Sequence, residues 1–160
     1  MLRNILIMGF IILMGFNSFP QEKNYIALSS AMFDILQQAE PSYEMRAEFR
    51  AGKVKFLANP FGGIMVNTEG AIHLYAGLYY DIFISDVFII TPSFAPGFYE
   101  NNNSKDLGYA LEFRSQLEIS LRFAHGGRIG FSFNHISNAI LGDINPGVES
   151  LALTYIIPLD

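Results

Sequence analysis

"LGYALEFRSQLEISLRF" (residues 107–123) decides how this chain folds. Read with period two, one face carries Leu107, Tyr109, Leu111, Phe113, Leu117, Ile119, Leu121 and Phe123, broken only by Ser115. The other carries Glu112, Arg114, Gln116, Glu118 and Arg122. Successive side chains of a strand point to opposite faces, so this is one strand with an apolar side and a charged side. Its 17 residues far exceed the about 5–6 of an ordinary strand. A tilted strand crosses a hydrocarbon core in about 9–11 residues, so this length suits a membrane wall.

"SYEMRAEFR" (42–50) repeats the pattern. Tyr43, Met45, Ala47 and Phe49 face one way, and Glu44, Arg46, Glu48 and Arg50 the other. Together the two polar faces present four acids and four bases. That balance suits a closed interior, where charges are tolerated only in pairs. A solvated outer face would alternate in the same way. Strand length, the N-terminal segment and the aromatic content favour the membrane barrel.

The whole chain then divides into eight strands, 25–34, 42–52, 55–66, 71–84, 87–98, 107–123, 127–138 and 148–158. The expected fold is all-β, an eight-stranded antiparallel transmembrane β-barrel of the bacterial outer membrane. Gly62 and Gly63 weaken the third strand. Pro92 lies inside the fifth, and a closed barrel offers it no free edge, so a bulge or ladder gap is expected there. The links 35–41, 67–70, 99–106 and 139–147 would face outside, and 53–54, 85–86 and 125–127 inside. Short periplasmic turns and longer external loops are the outer-membrane rule. Eight strands enclose a space that side chains fill, which argues against a wide pore.

Composition agrees. The 160 residues are 51% hydrophobic and only 16% charged, against about 25% charged in soluble domains. The net charge of −5 gives no sign of nucleic-acid binding. The absence of cysteine excludes disulfides, thiolate metal sites, a cysteine nucleophile and a cysteine-linked lipid anchor. At the N-terminus, Arg3 precedes an apolar run of 12 residues, Ile5 to Phe16. A spanning helix needs about 20, so residues 1–18 read as a signal peptide with cleavage near Ser18, and 24–160 as a single barrel domain. A retained anchor helix is the alternative.

The seventh strand ends in "FNHISN" (133–138), where an apolar face closes on His135 and Ser137. The eighth begins with Glu149 on the same face as Leu151, Leu153, Tyr155 and Ile157. If His135 lies opposite Glu149, acid, base and hydroxyl emerge together on the outer wall at the external rim. Ser137 would then be the nucleophile, His135 its base, and Glu149 the group that holds the imidazole. Asn138 is the side-chain candidate for the oxyanion, aided by backbone N–H groups of the following loop. Asn145, in the turn Asn145-Pro146-Gly147, would brace that loop. Phe131, Phe133, Leu151 and Leu153 are candidates for docking an acyl chain. An H-x-S alone is weak, and polar rim residues also serve as interfacial anchors. Agreement of face, rim and chemistry is what raises this set above that reading. His73 reads as an inward, hydrogen-bonded histidine and His125 as a solvated turn residue. The three histidines have no metal-site spacing.

"FNHISNAILGDINPGVESLALTY" (133–155) resembles the signature of the PagL-type lipid A 3-O-deacylases, H-x-S-N followed by N-P-G-x-E. Weaker similarity runs through 74–82, 91–100 and 107–123. The resemblance implies an eight-stranded outer-membrane barrel with its site on the outer wall. It implies removal of the 3-position acyl chain of lipid A, or lipopolysaccharide, in the outer leaflet, with no metal or organic cofactor. By motif position Ser137 resembles the nucleophile, His135 the base, Glu149 the third member and Asn138 the asparagine tied to the oxyanion site. One departure is the ending "IIPLD", where such barrels carry a terminal aromatic residue; it bears on insertion more than on activity. The expected partners are lipid A and other outer-membrane lipids, with no nucleic acid. The oligomeric state is open, with a homodimer as one option. Rival readings are an outer-membrane phospholipase, a non-enzymatic small barrel with binding loops, and a soluble lipocalin-like carrier, which the charged interior disfavours.

Overall fold

A computed structural model describes residues 23–52 and 58–159. The strands are β1 (Asn24–Phe33), β2 (Ser42–Arg50), β3 (Asn59–Asn67), β4 (Ile72–Tyr79), β5 (Ile82–Phe83), β6 (Phe88–Glu100), β7 (Leu111–Arg122), β8 (Arg128–Ser137) and β9 (Val148–Leu159). All pairings are antiparallel, in the order β4-β3-β2-β1-β9-β8-β7-β6-β5, and β4 also pairs with β6. That last pairing closes the sheet and removes its edges.

β4 and β5 are two parts of one stave, so the barrel has eight. Tyr79 pairs with Ser93 and Ile82 with Ile90 in a single unbroken register. Between them the ladder is interrupted opposite Thr91 and Pro92. Tyr80 N–H donates to the Pro92 carbonyl (3.0 Å), but proline has no N–H to return. The expected disruption is therefore a gap and not a bulge. A second interruption falls at Ala76 and Gly77, opposite Pro96 and Ala95. Pro96 lies four residues from Pro92, so its ring nitrogen points toward the same neighbour. Gly77 permits close approach there, since a Cβ would stand 2.0 Å from the Phe94 carbonyl oxygen.

The expected strands match, with one shortened. The alternation of 107–123 holds only from Leu111. Gly108 adopts a left-handed conformation (φ 90°), which breaks the extended chain, and Leu107 turns inward to join the buried cluster. The expected signal segment 1–18, the 53–54 turn and the start of the third strand lie outside the described residues.

The two faces separate as the pattern demands. Leu117, Ile119, Leu121, Met45, Phe131 and Leu151 are exposed on the outside. Glu44, Arg46, Glu48, Arg50, Glu112, Arg114 and Glu118 are buried inside. Arg50 joins two acids across the lumen, Glu48 (2.9 Å) and Glu118 (2.9 Å). Arg114 meets Glu48 (3.0 Å) and lies over the Tyr75 ring, whose hydroxyl donates to Glu48 (2.8 Å). Arg46 pairs with Glu44, which also accepts from Ser150 (2.6 Å). Lower down, Arg128 meets Asp81 (2.7 Å). Arg122 sits at the inner rim and donates to the Asp86 carbonyl (2.9 Å). Glu112 makes no side-chain hydrogen bond or ion pair among the described residues. At the external end, Phe33, Met65, Tyr99, Leu107, Ile136 and Val148 belong to the apolar plug that fills the remaining space.

His73 points inward and is fully buried, but neither ring nitrogen has a hydrogen-bond partner among the described residues. Its ring instead packs on Tyr75 (5.0 Å between centroids) and edge-on to Tyr99 (6.1 Å). His125 is in the inner turn, exposed and stacked on Phe123 (5.5 Å).

Candidate active site

β8 and β9 are antiparallel neighbours, and the link 138–147 sets a register in which His135 lies directly opposite Glu149. Both side chains leave the outer wall, because residues 135 and 149 share the parity of Phe131, Phe133, Leu151 and Leu153. His135 Nδ1 and Glu149 Oε1 are 2.8 Å apart. A carboxylate accepts only, so Nδ1 carries the hydrogen and Nε2 is left as the basic nitrogen. The glutamate is the more enclosed partner, its side chain 14% exposed against 41% for the histidine.

Ser137 stands two residues beyond His135 on the same face, half-buried, opposite Phe113 of β7. No hydrogen bond joins its hydroxyl to the imidazole. Same-face neighbours on one strand are about 6.6 Å apart along the chain, and such contacts commonly tighten only when substrate is bound. The structure thus unites two of the three expected residues and sets the third beside them.

Asn138 and Asn145 act on the loop. The Asn138 amide donates both ways, to the Leu107 carbonyl (2.8 Å) and the Ile144 carbonyl (2.7 Å). Its oxygen accepts from Ile140 N–H (2.9 Å). Its backbone N–H donates to Asn145 Oδ1 (3.1 Å). With both amide hydrogens committed, Asn138 shapes the turn rather than offering a free side-chain donor. The turn carries two consecutive non-glycine residues at positive φ, Ala139 (54°) and Ile140 (67°). A branched residue in that region is strained, and such strain gathers at functional loops.

The expected docking residues form a two-by-two patch beneath the His–Glu pair, with Phe133 opposite Leu151 and Phe131 opposite Leu153. Beside Leu153, the wall holds an apolar depression of about 490 Å³ lined by Leu28, Ser30, Met45, Ala47, Ile64 and Tyr155 among others. Ser30 and Ala47 are small residues within otherwise bulky outward stripes, a signal in the sequence that went unread.

Other contributors lie outside the His–Ser–Glu set, one of them within the motif. Gly147 is at φ 63°, and a Cβ there would stand 2.8 Å from His135 Cε1. Ile35 N–H donates to the Glu149 carbonyl (3.1 Å), and Gln37 Nε2 to the Pro146 carbonyl (2.8 Å). The Ile35 and Gln37 contacts join loops separated by more than a hundred residues, so no local pattern announces them. Among the described residues, no group of three or more His, Cys, Asp or Glu side chains is placed to share a metal ion.

Comparison with known proteins converges on one family. The family model described as "Lipid A 3-O-deacylase (PagL)" matches residues 30–158. The lipid A deacylase PagL of Pseudomonas aeruginosa is 40% identical over 55 residues, a segment covering 34% of this chain and 32% of that protein. The match therefore spans about a third of that relative's length. The crystal structure of the outer membrane enzyme PagL superposes with a TM-score of 0.67 at 21% identity, covering 84% of this chain and 99% of the other. A structure from the de novo design of transmembrane β-barrels gives a TM-score of 0.65 at 7% identity, covering 89% and 98%, a likeness of fold alone. With its closed eight-stave barrel of outer-membrane type and a family match over residues 30–158, the chain belongs to the lipid A 3-O-deacylase (PagL) family.

Proposed function

We propose that this protein is a serine esterase of the outer leaflet that hydrolyses the 3-position acyl ester of lipid A. The observation that carries this reading is the His135–Glu149 contact, 2.8 Å, on the lipid-facing wall and beside Ser137. The substrate ester arrives laterally from the leaflet and needs no pore. Ser137 Oγ attacks the acyl carbonyl carbon while His135 Nε2 takes the hydroxyl proton. Glu149 holds Nδ1–H, fixing the tautomer and offsetting the charge of the imidazolium. The oxyanion is met by the Ala139 backbone N–H, since the N–H groups on either side of it are committed to Asn145 and Asn138 side chains. Collapse breaks the ester C–O bond, and His135 returns its proton to the departing sugar oxygen. Water then cleaves the acyl-serine with the same base, releasing the fatty acid. The acyl chain lies down the Phe133–Leu151 and Phe131–Leu153 ladder, with its end near the depression at Ser30 and Ala47. No metal or organic cofactor takes part.

The test is Ser137→Ala in a barrel that retains its heat-modifiable folded form. Release of acyl chain from purified lipid A falls to background. Wild-type release by that variant would overturn the assignment. Release of fatty acid from phospholipids in place of lipid A would support the phospholipase reading instead.

A further inference from the structure

We propose that Lys105 is a positioning residue for this site, acting through Gln37 on the Pro146–Gly147 backbone behind the His135 ring. The inference rests on the esterase reading above. Lys105 belongs to the link between β6 and β7, far in sequence from the motif. Its ammonium is buried and pairs with Asp34 (2.7 Å). It also donates to Gln37 Oε1 (2.9 Å). A lysine is rarely so enclosed, and one with two acceptors is held in a defined place. Gln37 passes that placement on. Its Oε1 is fixed by Lys105, so its Nε2 is aimed at the Pro146 carbonyl (2.8 Å).

Pro146 precedes Gly147, whose backbone packs against His135 with no room for a Cβ. Among the described residues the imidazole otherwise makes one hydrogen bond, that to Glu149. The backbone of residues 146–147 therefore sets the ring's other boundary. Asp34 closes the β1–β2 link that carries Gln37, accepting from Glu40 N–H (2.8 Å), and the next residue, Ile35, donates to the Glu149 carbonyl (3.1 Å). Lys105 is also tied into the barrel mouth, since its own carbonyl accepts from the Tyr99 hydroxyl (2.9 Å). Three external links thus converge on the base and its orienting acid, and Lys105 is the one cation at their junction among the described residues.

The experiment uses the full-length barrel in detergent micelles with purified lipid A. Gln37 is exposed, so its substitution spares the core. Gln37→Glu keeps the acceptor for Lys105 but loses the donor to Pro146, and Gln37→Met loses both. Each lowers kcat by about fivefold, the order of one hydrogen bond, with KM within about twofold. Lys105→Met gives a similar loss, and the Lys105→Met, Gln37→Met double variant is no worse than the poorer single one. The His135 Nδ1–H NMR signal, assigned by substitution, is sharp in wild type and broadened in Gln37→Met. That readout does not depend on turnover, so an inactive wild type would count against the esterase reading while the NMR comparison still decides the positioning role. Wild-type kcat in both Gln37 variants, an unchanged His135 signal, or fully additive losses would overturn the proposal.

Discussion

Glu149 and Gly147 carry the sharpest expectations at the scale of single residues. Glu149→Gln keeps the side-chain shape but removes the charge and allows the amide to present a donor to Nδ1. The imidazole then loses its fixed tautomer, and kcat falls by about 10²-fold or more. Steady-state kinetics on purified lipid A check this, with the folded fraction verified by gel mobility. Gly147→Ala tests the ring's other boundary. The new methyl stands 2.8 Å from His135 Cε1 on a backbone at φ 63°, so kcat drops by about tenfold for a ring displaced from the attack geometry. The proposed catalytic residues were legible in the sequence, because strand parity puts 135, 137 and 149 on one face. Gly147 was legible only as a turn glycine. Its contact with the ring depends on how the 138–147 link folds back, which no two-residue period encodes. The role of Asn138 shifted for a similar reason, because its acceptors at Leu107 and Ile144 become visible only when two loops are packed together.

Among elements, the loops and the β4–β6 seam hold what the pattern missed. The pair Asp34–Lys105 joins the β1–β2 link to the β6–β7 link. Burial pushes the Asp34 carboxyl up, but the Glu40 N–H and the Lys105 ammonium outweigh it and hold it below its ordinary value of 3.8. A folded-state pKa depressed in this way stabilises above the unfolded value and is lost as pH falls through the folded one. Loop 34–41 is thus held through neutral pH and loosens below about pH 4. Amide exchange of that loop as a function of pH measures the effect. Asp34→Asn should remove the acid step without altering strand protection. At the seam, Gly77→Ala brings a methyl to 2.0 Å from the Phe94 carbonyl oxygen. Neither backbone can yield without parting β4 from β6, so the barrel loses about 2 kcal/mol or more, read from urea unfolding in micelles. Pro92 announced one ladder gap from sequence. The gap near Pro96 shares its cause, a ring nitrogen facing the same strand.

The whole molecule is a barrel with a charged inside, an oily outside and the proposed site on the oily side. The inside depends on pairing. Arg50 serves both Glu48 and Glu118; Glu48 keeps Arg114 and Tyr75, so Arg50→Met strands the buried Glu118 and costs about 3–5 kcal/mol, measured by unfolding in micelles. The outside depends on shape. Ala47→Phe fills the depression beside Leu153 and should shift preference toward shorter acyl chains by several-fold, with the fold intact because the residue faces lipid. The architecture was readable because the period-two pattern holds over long segments, with an apolar stripe set against a balanced acid–base stripe in 42–50 and 107–123. Which acid meets which base was not readable, since Arg50 of β2 reaches Glu118 of β7 across the lumen. The central claim is that Ser137, His135 and Glu149 deacylate lipid A from the outer wall. Mass spectrometry of lipid A from cells expressing wild type or Ser137→Ala tests it most directly. Wild type should yield lipid A lighter by one 3-position acyl chain, and Ser137→Ala the unmodified species at equal barrel abundance. Identical lipid A from both, modified or unmodified, would contradict the account.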